Sequence, residues 1–170
     1  MPRWRFSDIP VRGRRGGCSV IRVHAVDTPI GTLWLDGDAT GLAAIAFDGP
    51  PGARSDDPLL TEAEAQLRAY FAGELTRFDL PLSPRGTDFQ RRVWDAVAAV
   101  PYGTTTTYST LAAALGRPSA CRAVGAANGR NPLPIVVPCH RVVGTSGALT
   151  GYGGGLERKR ALLDLEAVPG

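Results

Sequence analysis

The residues with the clearest chemical potential are Cys139 and His140, which are adjacent in the chain. A thiol of ordinary pKa, about 8.5, is mostly protonated at neutral pH, so a reactive cysteine needs a base nearby. His140 is the obvious base, and Glu157, Asp164 and Glu166 are candidate carboxylates to orient its ring. Neighbouring side chains on an extended chain point apart, so we expect a water molecule to bridge thiol and imidazole. The alternative is a buried structural cysteine beside a surface histidine.

The segment before the cysteine, residues 131–138, reads NPLPIVVP. Its β-branched run lies between prolines, which predicts a buried, extended segment that delivers Cys139 at its end.

A second candidate is the segment 119–128, SACRAVGAAN, in which Arg122 is the one long side chain among small ones. A helix of this composition could bring its backbone close to a DNA groove but could read little sequence. Arg122 could then take the place of a base in the stack. The alternative is a helix packed against another helix, with Arg122 solvated.

The N-terminal half predicts an antiparallel meander followed by a helix. β-rich runs separated by turns cover residues 20–26, 32–35 and 42–47. Thr61 with Glu64 three positions later predicts a capping box at the start of the helix, which should end near Gly73.

The C-terminal half predicts mainly helices. Thr87 should cap the first, which ends at Pro101; a short helix follows from Tyr108 to Leu115, stopped by Gly116. Further helices are predicted from residues 118–119 to 128 and from 156 to 166. Two short helices across a glycine-containing turn predict a helix-turn-helix. We therefore divide the chain into a basic tail, an N-terminal domain, a Pro- and Ser-rich linker and a C-terminal domain: residues 1–18, 19–80, 81–86 and 87–170.

The composition is that of a globular protein, with 44% hydrophobic and 21% charged residues. The net charge of +3, with arginine as 18 of the 19 cationic residues, favours a polyanionic partner only weakly. Cys18, Cys121 and Cys139 form no CxxC pair, which argues against a disulfide framework or a cysteine-rich zinc site. No apolar stretch is long enough for a membrane span or a signal peptide, so we predict a cytoplasmic protein without membrane contact.

The sequence resembles the O6-alkylguanine-DNA alkyltransferases. The active-site motif of that family is matched by Pro138-Cys139-His140-Arg141-Val142. The flanking matches, which keep their order and spacing, are Phe89-Gln90, Val93-Trp94, Pro101-Tyr102-Gly103, Arg122-Ala123-Val124-Gly125, Asn131-Pro132 and Thr150-Gly151-Tyr152-Gly153-Gly154-Gly155-Leu156. The resemblance covers about residues 22–168 and is specific from residue 87 onward.

The resemblance implies an α+β fold: a small N-terminal α/β domain with an antiparallel, ribonuclease H-like sheet and a mostly helical C-terminal domain with a winged-helix-like helix-turn-helix. It implies repair of double-stranded DNA, bound through the minor groove by a monomer. The nucleotide would be flipped out, and the alkyl group of O6-alkylguanine would move to Cys139 once per protein molecule. O4-alkylthymine is a further candidate substrate, and cooperative binding along DNA stays open. No cofactor and no metal are implied.

The resemblance also implies roles for single residues. Cys139 would accept the alkyl group, and His140, held by Glu166, would act as its base through water. Asn131 would brace the turn before the cysteine segment, and Tyr108 would offer its hydroxyl to the departing base. Arg122 would enter the base stack, and the other DNA contacts would be Tyr108, Ser109, Ala123 and Thr145. The guanine pocket would be built by Pro134, Val142, Tyr152 and Gly153.

Two departures and two rival hypotheses remain. Cys121 lies beside Arg122 where the family usually has a very small residue, while Cys18 and His24 lack obvious partners for a metal. The first rival is a non-catalytic sensor or regulator that binds alkylated DNA; the second is a thiol enzyme that acts on small molecules. The Cys139–His140–Glu166 set would be unexplained by the first rival, and the second predicts turnover and no salt-dependent affinity for DNA.

Overall fold

The computed structural model describes residues 23–167. The predicted tail 1–18 and the first residues of the predicted N-terminal domain therefore lie outside the described residues. The fold is a mixed α/β fold in which a three-stranded antiparallel sheet precedes a mostly helical half. The elements are, in chain order, β1 (Val23–Thr28), β2 (Gly31–Asp38), β3 (Gly41–Ala46), α1 (Pro58–Phe71), α2 (Asp88–Ala98), β4 (Thr106–Thr107), α3 (Tyr108–Ala114), α4 (Cys121–Gly129), β5 (Val142–Val143) and α5 (Leu156–Ala167).

The sheet confirms the predicted meander. Its order is β1-β2-β3, with both pairs antiparallel and an irregularity between Asp36 and Gly37 in β2. One face packs against α1. Fully buried aliphatic side chains of the sheet (Leu33, Leu35, Leu42) meet those of the helix (Leu60, Leu67), and this shared core fixes α1 on the sheet.

The predicted start of α1 was wrong. The helix begins at Pro58, and the side chain of Asp57 caps it by accepting a hydrogen bond from the Leu59 amide at 2.9 Å. Proline suits the first helical position because its φ is already helical and its missing N–H is not needed there. Glu64, predicted to complete a capping box with Thr61, instead pairs with His24 and Arg68.

The segment predicted as a linker joins the edge of β3. The Leu42 amide donates to Pro81 O and the Ser83 amide donates to Leu42 O, both at 2.8 Å. A side chain at Gly41 would lie 2.4 Å from the Pro81 carbonyl oxygen, so this approach requires glycine. The chain is therefore held against the sheet before α2 begins.

The helices of the second half follow the predicted order with shifted ends. Thr87 caps α2, and with Gln90 it forms a reciprocal capping box. The Trp94 indole of α2 donates to Ala127 O of α4 at 2.9 Å, which ties these two helices together. α2 ends three residues before the predicted Pro101, and α4 begins at Cys121 rather than at residues 118–119.

A short parallel pairing was not predicted. Thr106 pairs with Val142 and Thr107 with Val143, which joins β4 to β5. This places the start of α3 beside the chain that leaves Cys139. No helix within residues 23–167 is both long and apolar enough to cross a membrane.

Candidate active site

Cys139 lies in a short 3-10 helix, Cys139–Arg141, which leads directly into β5. Cys139 is buried, with 7% of its surface exposed. The prediction that an extended segment delivers the cysteine was wrong. Residues 131–138 form a tight turn instead, in which the Val137 amide donates to Leu133 O at 2.8 Å.

Asn131 spans this turn with both ends of its side-chain amide. Its Nδ2 donates to Val137 O at 2.7 Å, and its Oδ1 accepts from the Leu133 amide at 2.9 Å. Ile135, at the tip, has a positive φ of 77°, a strained value for a β-branched residue. The prolines of this segment offer no N–H to a strand ladder, and the asparagine satisfies the turn backbone instead, so the chain turns.

His140 and Glu166 form a buried pair. His140 Nε2 lies 2.8 Å from Glu166 Oε1, and both side chains are almost fully excluded from solvent. Of the three candidate carboxylates, Glu166 is therefore the one that contacts the imidazole.

Glu166 accepts more than this one hydrogen bond. Its carboxylate also accepts from Arg141 Nε at 2.8 Å, Arg141 Nη2 at 2.9 Å, the Tyr70 hydroxyl at 2.7 Å and the Gly103 amide at 3.3 Å. Burial would raise the pKa of Glu166, but the hydrogen bonds from His140 and Arg141 outweigh it and hold that pKa well below its ordinary value. The carboxylate is therefore charged and saturated with donors at neutral pH.

This arrangement fixes the proton position on His140. A carboxylate that accepts from every side requires the proton on Nε2, which leaves Nδ1 with a free lone pair. Burial lowers the pKa of His140 although Glu166 opposes this, so the ring is neutral at pH 7. Within the described part of the chain Nδ1 has no hydrogen-bond partner. His140 is thus a neutral imidazole with an available basic nitrogen.

The thiol of Cys139 has different surroundings from the imidazole of His140. Burial raises the pKa of Cys139 to about 11, although a hydrogen bond from Asn131 and the charge of Lys159 act in the opposite direction. Asn128, on α4, donates to Cys139 O at 3.4 Å. The cysteine is therefore neutral in the free protein and would need a base to react.

The residues predicted to build the pocket differ in their positions. Pro134 and Val142 are buried, whereas Gly153 is exposed. Tyr152 lies near the thiol: burial raises its pKa far above the ordinary value, and a charge on Cys139 adds to the shift. Its hydroxyl is buried without a hydrogen-bond partner among residues 23–167.

Four of the five residues predicted to contact DNA are exposed; three precede Cys139 in the chain and one follows it. Arg122 and Ala123 are exposed at the start of α4, and Ser109 and Thr145 are exposed on α3 and in the loop after β5. Tyr108 is half-buried at the first position of α3, where its hydroxyl accepts a long 3.4 Å hydrogen bond from Thr150.

Sequence reasoning assigned no role to several residues that organise this site. Arg141 holds Glu166 and stacks over the Tyr102 ring at 5.6 Å. Lys159, fully buried, donates from Nζ to Val142 O at 2.7 Å and to Thr150 O at 2.9 Å. Lys159 is the single lysine of a chain with 18 arginines, and this contrast could have drawn attention to it.

No metal site is found among the described residues. His24 is paired with Glu64 of α1 and accepts a hydrogen bond from the Ser55 amide at 3.2 Å. Cys18 lies outside the described residues.

Two family models match adjoining parts of the chain. Residues 21–84 match the ribonuclease-like domain of 6-O-methylguanine DNA methyltransferase, and residues 88–168 match the DNA binding domain of the same family. A methylated-DNA–protein-cysteine methyltransferase of Mycobacterium tuberculosis (strain H37Rv) is 51% identical over 153 residues, which are 86% of this chain and 93% of the relative. One of Methanosarcina acetivorans is 48% identical over 147 residues, which are 82% and 94% of the two chains.

Solved structures agree with these relatives. The M. tuberculosis OGT in complex with DNA superposes with a TM-score of 0.79 at 51% identity, covering 85% of this chain and 92% of that one. An O6-methylguanine DNA methyltransferase from Methanococcus jannaschii reaches 0.64 at 28% identity, covering 85% and 93%. The match of both halves of the chain and of their order shows that this protein belongs to the 6-O-methylguanine DNA methyltransferase family.

Proposed function

We propose that this protein repairs DNA by moving the alkyl group of O6-alkylguanine onto Cys139. The observation that carries the proposal is that Cys139 directly precedes neutral His140, which is paired with anionic Glu166, on a chain whose relatives are named for this reaction. The thiol is neutral in the free protein, so His140 Nδ1 takes its proton through one water molecule as the alkyl carbon is attacked.

The transfer is a direct displacement. The sulfur–carbon bond forms while the bond from carbon to O6 breaks, and the electron pair goes to the guanine. The base leaves as neutral guanine when the Tyr108 hydroxyl supplies a proton. The product is a thioether, which has no carbonyl for water to attack, so each molecule reacts once.

We further propose that DNA is bound through its minor groove by α3 and α4 acting as a helix-turn-helix. The O6 atom is hidden inside a duplex, so the nucleotide must be flipped out. Exposed Arg122 fills the gap in the stack, and Ala123, Ser109 and Thr145 approach the backbone. Pro134, Val142, Tyr152 and Gly153 surround the flipped base. The protein binds as a monomer; O4-alkylthymine is a second candidate substrate.

The test compares loss of O6-methylguanine from a duplex oligonucleotide among three proteins. We expect the wild type and Cys121→Ser to remove the methyl group equally, because serine is nearly isosteric with cysteine and Cys121 supplies no reacting atom. Cys139→Ser should remove none. Removal by Cys139→Ser would refute the assignment, and tight lesion binding without removal by the wild type would favour the sensor hypothesis.

A further inference from the structure

The loop between β5 and α5 forms one side of the site, and hydrogen bonds within the C-terminal half hold it at its base, at Thr150 and at Gly154. Lys159 of α5 fixes it at Thr150, and the Gly144 amide fixes its base by donating to Ala148 O at 2.9 Å. The next residues, Gly151 to Gly155, include four glycines, so their backbone has little stiffness of its own. Tyr152 lies in this compliant part.

The N-terminal half adds a contact to the Tyr152 side chain through Phe47, just after β3. Its ring meets the ring of Tyr152 edge-on, with centroids 5.9 Å apart. The loop backbone also rests on Phe47, because a Cβ atom at Gly154 would lie 2.8 Å from the ring. Aromatic pairs in this edge-on arrangement are stabilising beyond the apolar area that they bury, so the contact favours one position of Tyr152.

Arg158 of α5 also contacts Phe47 and the loop. Its Nε donates to Ile30 O in the β1–β2 turn at 2.8 Å, and its Nη1 donates to Gly154 O at 2.9 Å. Its guanidinium also lies over the Phe47 ring, 5.1 Å from the centroid. One side chain thus joins the first turn of the sheet, Phe47 and the loop.

We propose that Phe47 and Arg158 are positioning residues that hold Tyr152 against the pocket and thereby limit the size of the alkyl group accepted. This inference rests on the proposed function and deepens it: a contact between the two halves, which contributes no reacting atom, sets the substrate range. A methyl group needs little space beside the thiol, whereas a benzyl group requires the Tyr152 side to give way. Loosening the loop should therefore favour the larger substrate relative to the smaller one.

The experiment measures single-turnover rate constants on duplexes that contain O6-methylguanine or O6-benzylguanine. In Phe47→Ala and Arg158→Lys we expect the benzyl-to-methyl ratio of rate constants to rise by about fivefold or more, on the scale of a pocket that gains a methylene or two of space. Phe47→Leu should restore part of the wild-type ratio because it refills part of the volume. Arg160→Lys is the matched control: Arg160 is exposed on the same helix, and its ratio should stay unchanged.

A purely structural role would lower both rate constants together and leave the ratio at the wild-type value, which would overturn the proposal. Arg158→Lys keeps the charge at a half-buried position and decides the question if Phe47→Ala does not fold. Failure of the wild type to transfer either group would instead overturn the proposed function, so the two failures are distinct.

Discussion

Cys139 and His140 are neighbours in sequence, but their pKa values are shifted in opposite directions. Burial keeps the thiol protonated and the imidazole neutral, while the hydrogen bond to Glu166 holds the ring proton on Nε2 and leaves Nδ1 free. This division protects the thiol from small electrophiles in the free protein. On the proposed function, the proton leaves only when the alkyl carbon is already in place.

The raised pKa of Cys139 predicts slow reaction with iodoacetamide. The thiolate is the reacting form, and with a pKa of about 11 about one Cys139 in a thousand is ionised at pH 8. The rate should rise about tenfold per pH unit between pH 7 and 10, since each unit multiplies the thiolate fraction by that factor. Peptide mapping of timed reactions, with the urea-unfolded chain as reference, measures this. A rate that levels off near pH 8 would contradict the raised pKa.

At this scale the sequence predicts the identity of the reacting groups but not the whole network. The Pro-Cys-His-Arg motif identifies Cys139 and His140 as a pair. Arg141 received no role, because a charged residue next to a histidine is usually solvated, and only the fold buries it against Glu166. Lys159 received no role because a lysine is usually solvated, whereas here the fold buries it fully.

The turn of residues 131–138 determines where the thiol lies. Its shape depends on the two hydrogen bonds of Asn131 and on the strained backbone of Ile135. Such strain persists only where the surroundings hold it, and Ile135 is 1% exposed in the core.

Asn131→Asp should therefore destabilise the protein. The change keeps the acceptor for the Leu133 amide but places a carboxylate oxygen against the Val137 carbonyl, which is left with the Cys139 amide as its donor. We expect the free energy of unfolding in urea to fall by about 1–3 kcal/mol, because repulsion between two oxygens replaces a hydrogen bond to a buried carbonyl. Transfer to Cys139 should also slow, because the thiolate loses a hydrogen bond. An unchanged urea midpoint would show that the turn forms without the amide.

Arg122, on the exposed side of α4, allows a test of its proposed entry into the stack. Arg122→Ala should slow repair of duplex DNA by far more than reaction with free O6-benzylguanine, since only the duplex requires a base to be flipped. Paired single-turnover measurements on both substrates give the comparison. Equal losses would count against the stacking role and favour a general effect on the site.

Element by element, local signals predict most of the secondary structure. The three strands and the five helices were expected from periodicity, and the capping box of Thr87 is confirmed. The start of α1 and the turn before Cys139 were not. In both cases proline explains the difference: Pro58 occupies the first position of the helix, and the prolines in residues 131–138 prevent a strand.

Three hydrogen bonds are among the contacts through which the two halves of the molecule meet at the site. The Ile45 amide of β3 donates to Pro132 O at 2.8 Å, the Tyr70 hydroxyl of α1 donates to Glu166, and Arg158 donates to Ile30 O. Each ties the sheet or its helix to a part of the site. The N-terminal half therefore supports both the carboxylate and the pocket loop.

Tyr70→Phe should weaken the contact between the halves. Tyr70 is fully buried, and its hydroxyl bonds to a charged acceptor at 2.7 Å. A hydrogen bond to a charged group contributes about 1.5–3 kcal/mol, and we expect the free energy of unfolding in urea to fall by this amount. Tyr102→Phe, which keeps the ring over Arg141, is the matched control and should have a smaller effect. A Tyr70→Phe protein as stable as the wild type would mean that this contact does not hold the halves together.

Such contacts are beyond sequence reasoning alone. Tyr70 and Glu166 are 96 residues apart, and Tyr70 by pattern is only an apolar position of a helix. The β4–β5 pairing is two residues long on each side and carries no periodic signal. The division into domains stays a prediction, although residues 81–83 are held against β3.

The most direct test of the account is the mass of the intact protein after incubation with a molar excess of duplex DNA that contains O6-methylguanine. We predict that each molecule gains one methyl group in place of a hydrogen, that peptide mapping locates it on Cys139, and that no further gain follows. No gain in mass, a methyl group on Cys18 or Cys121, or continued loss of methyl from the DNA beyond one per protein would contradict the account.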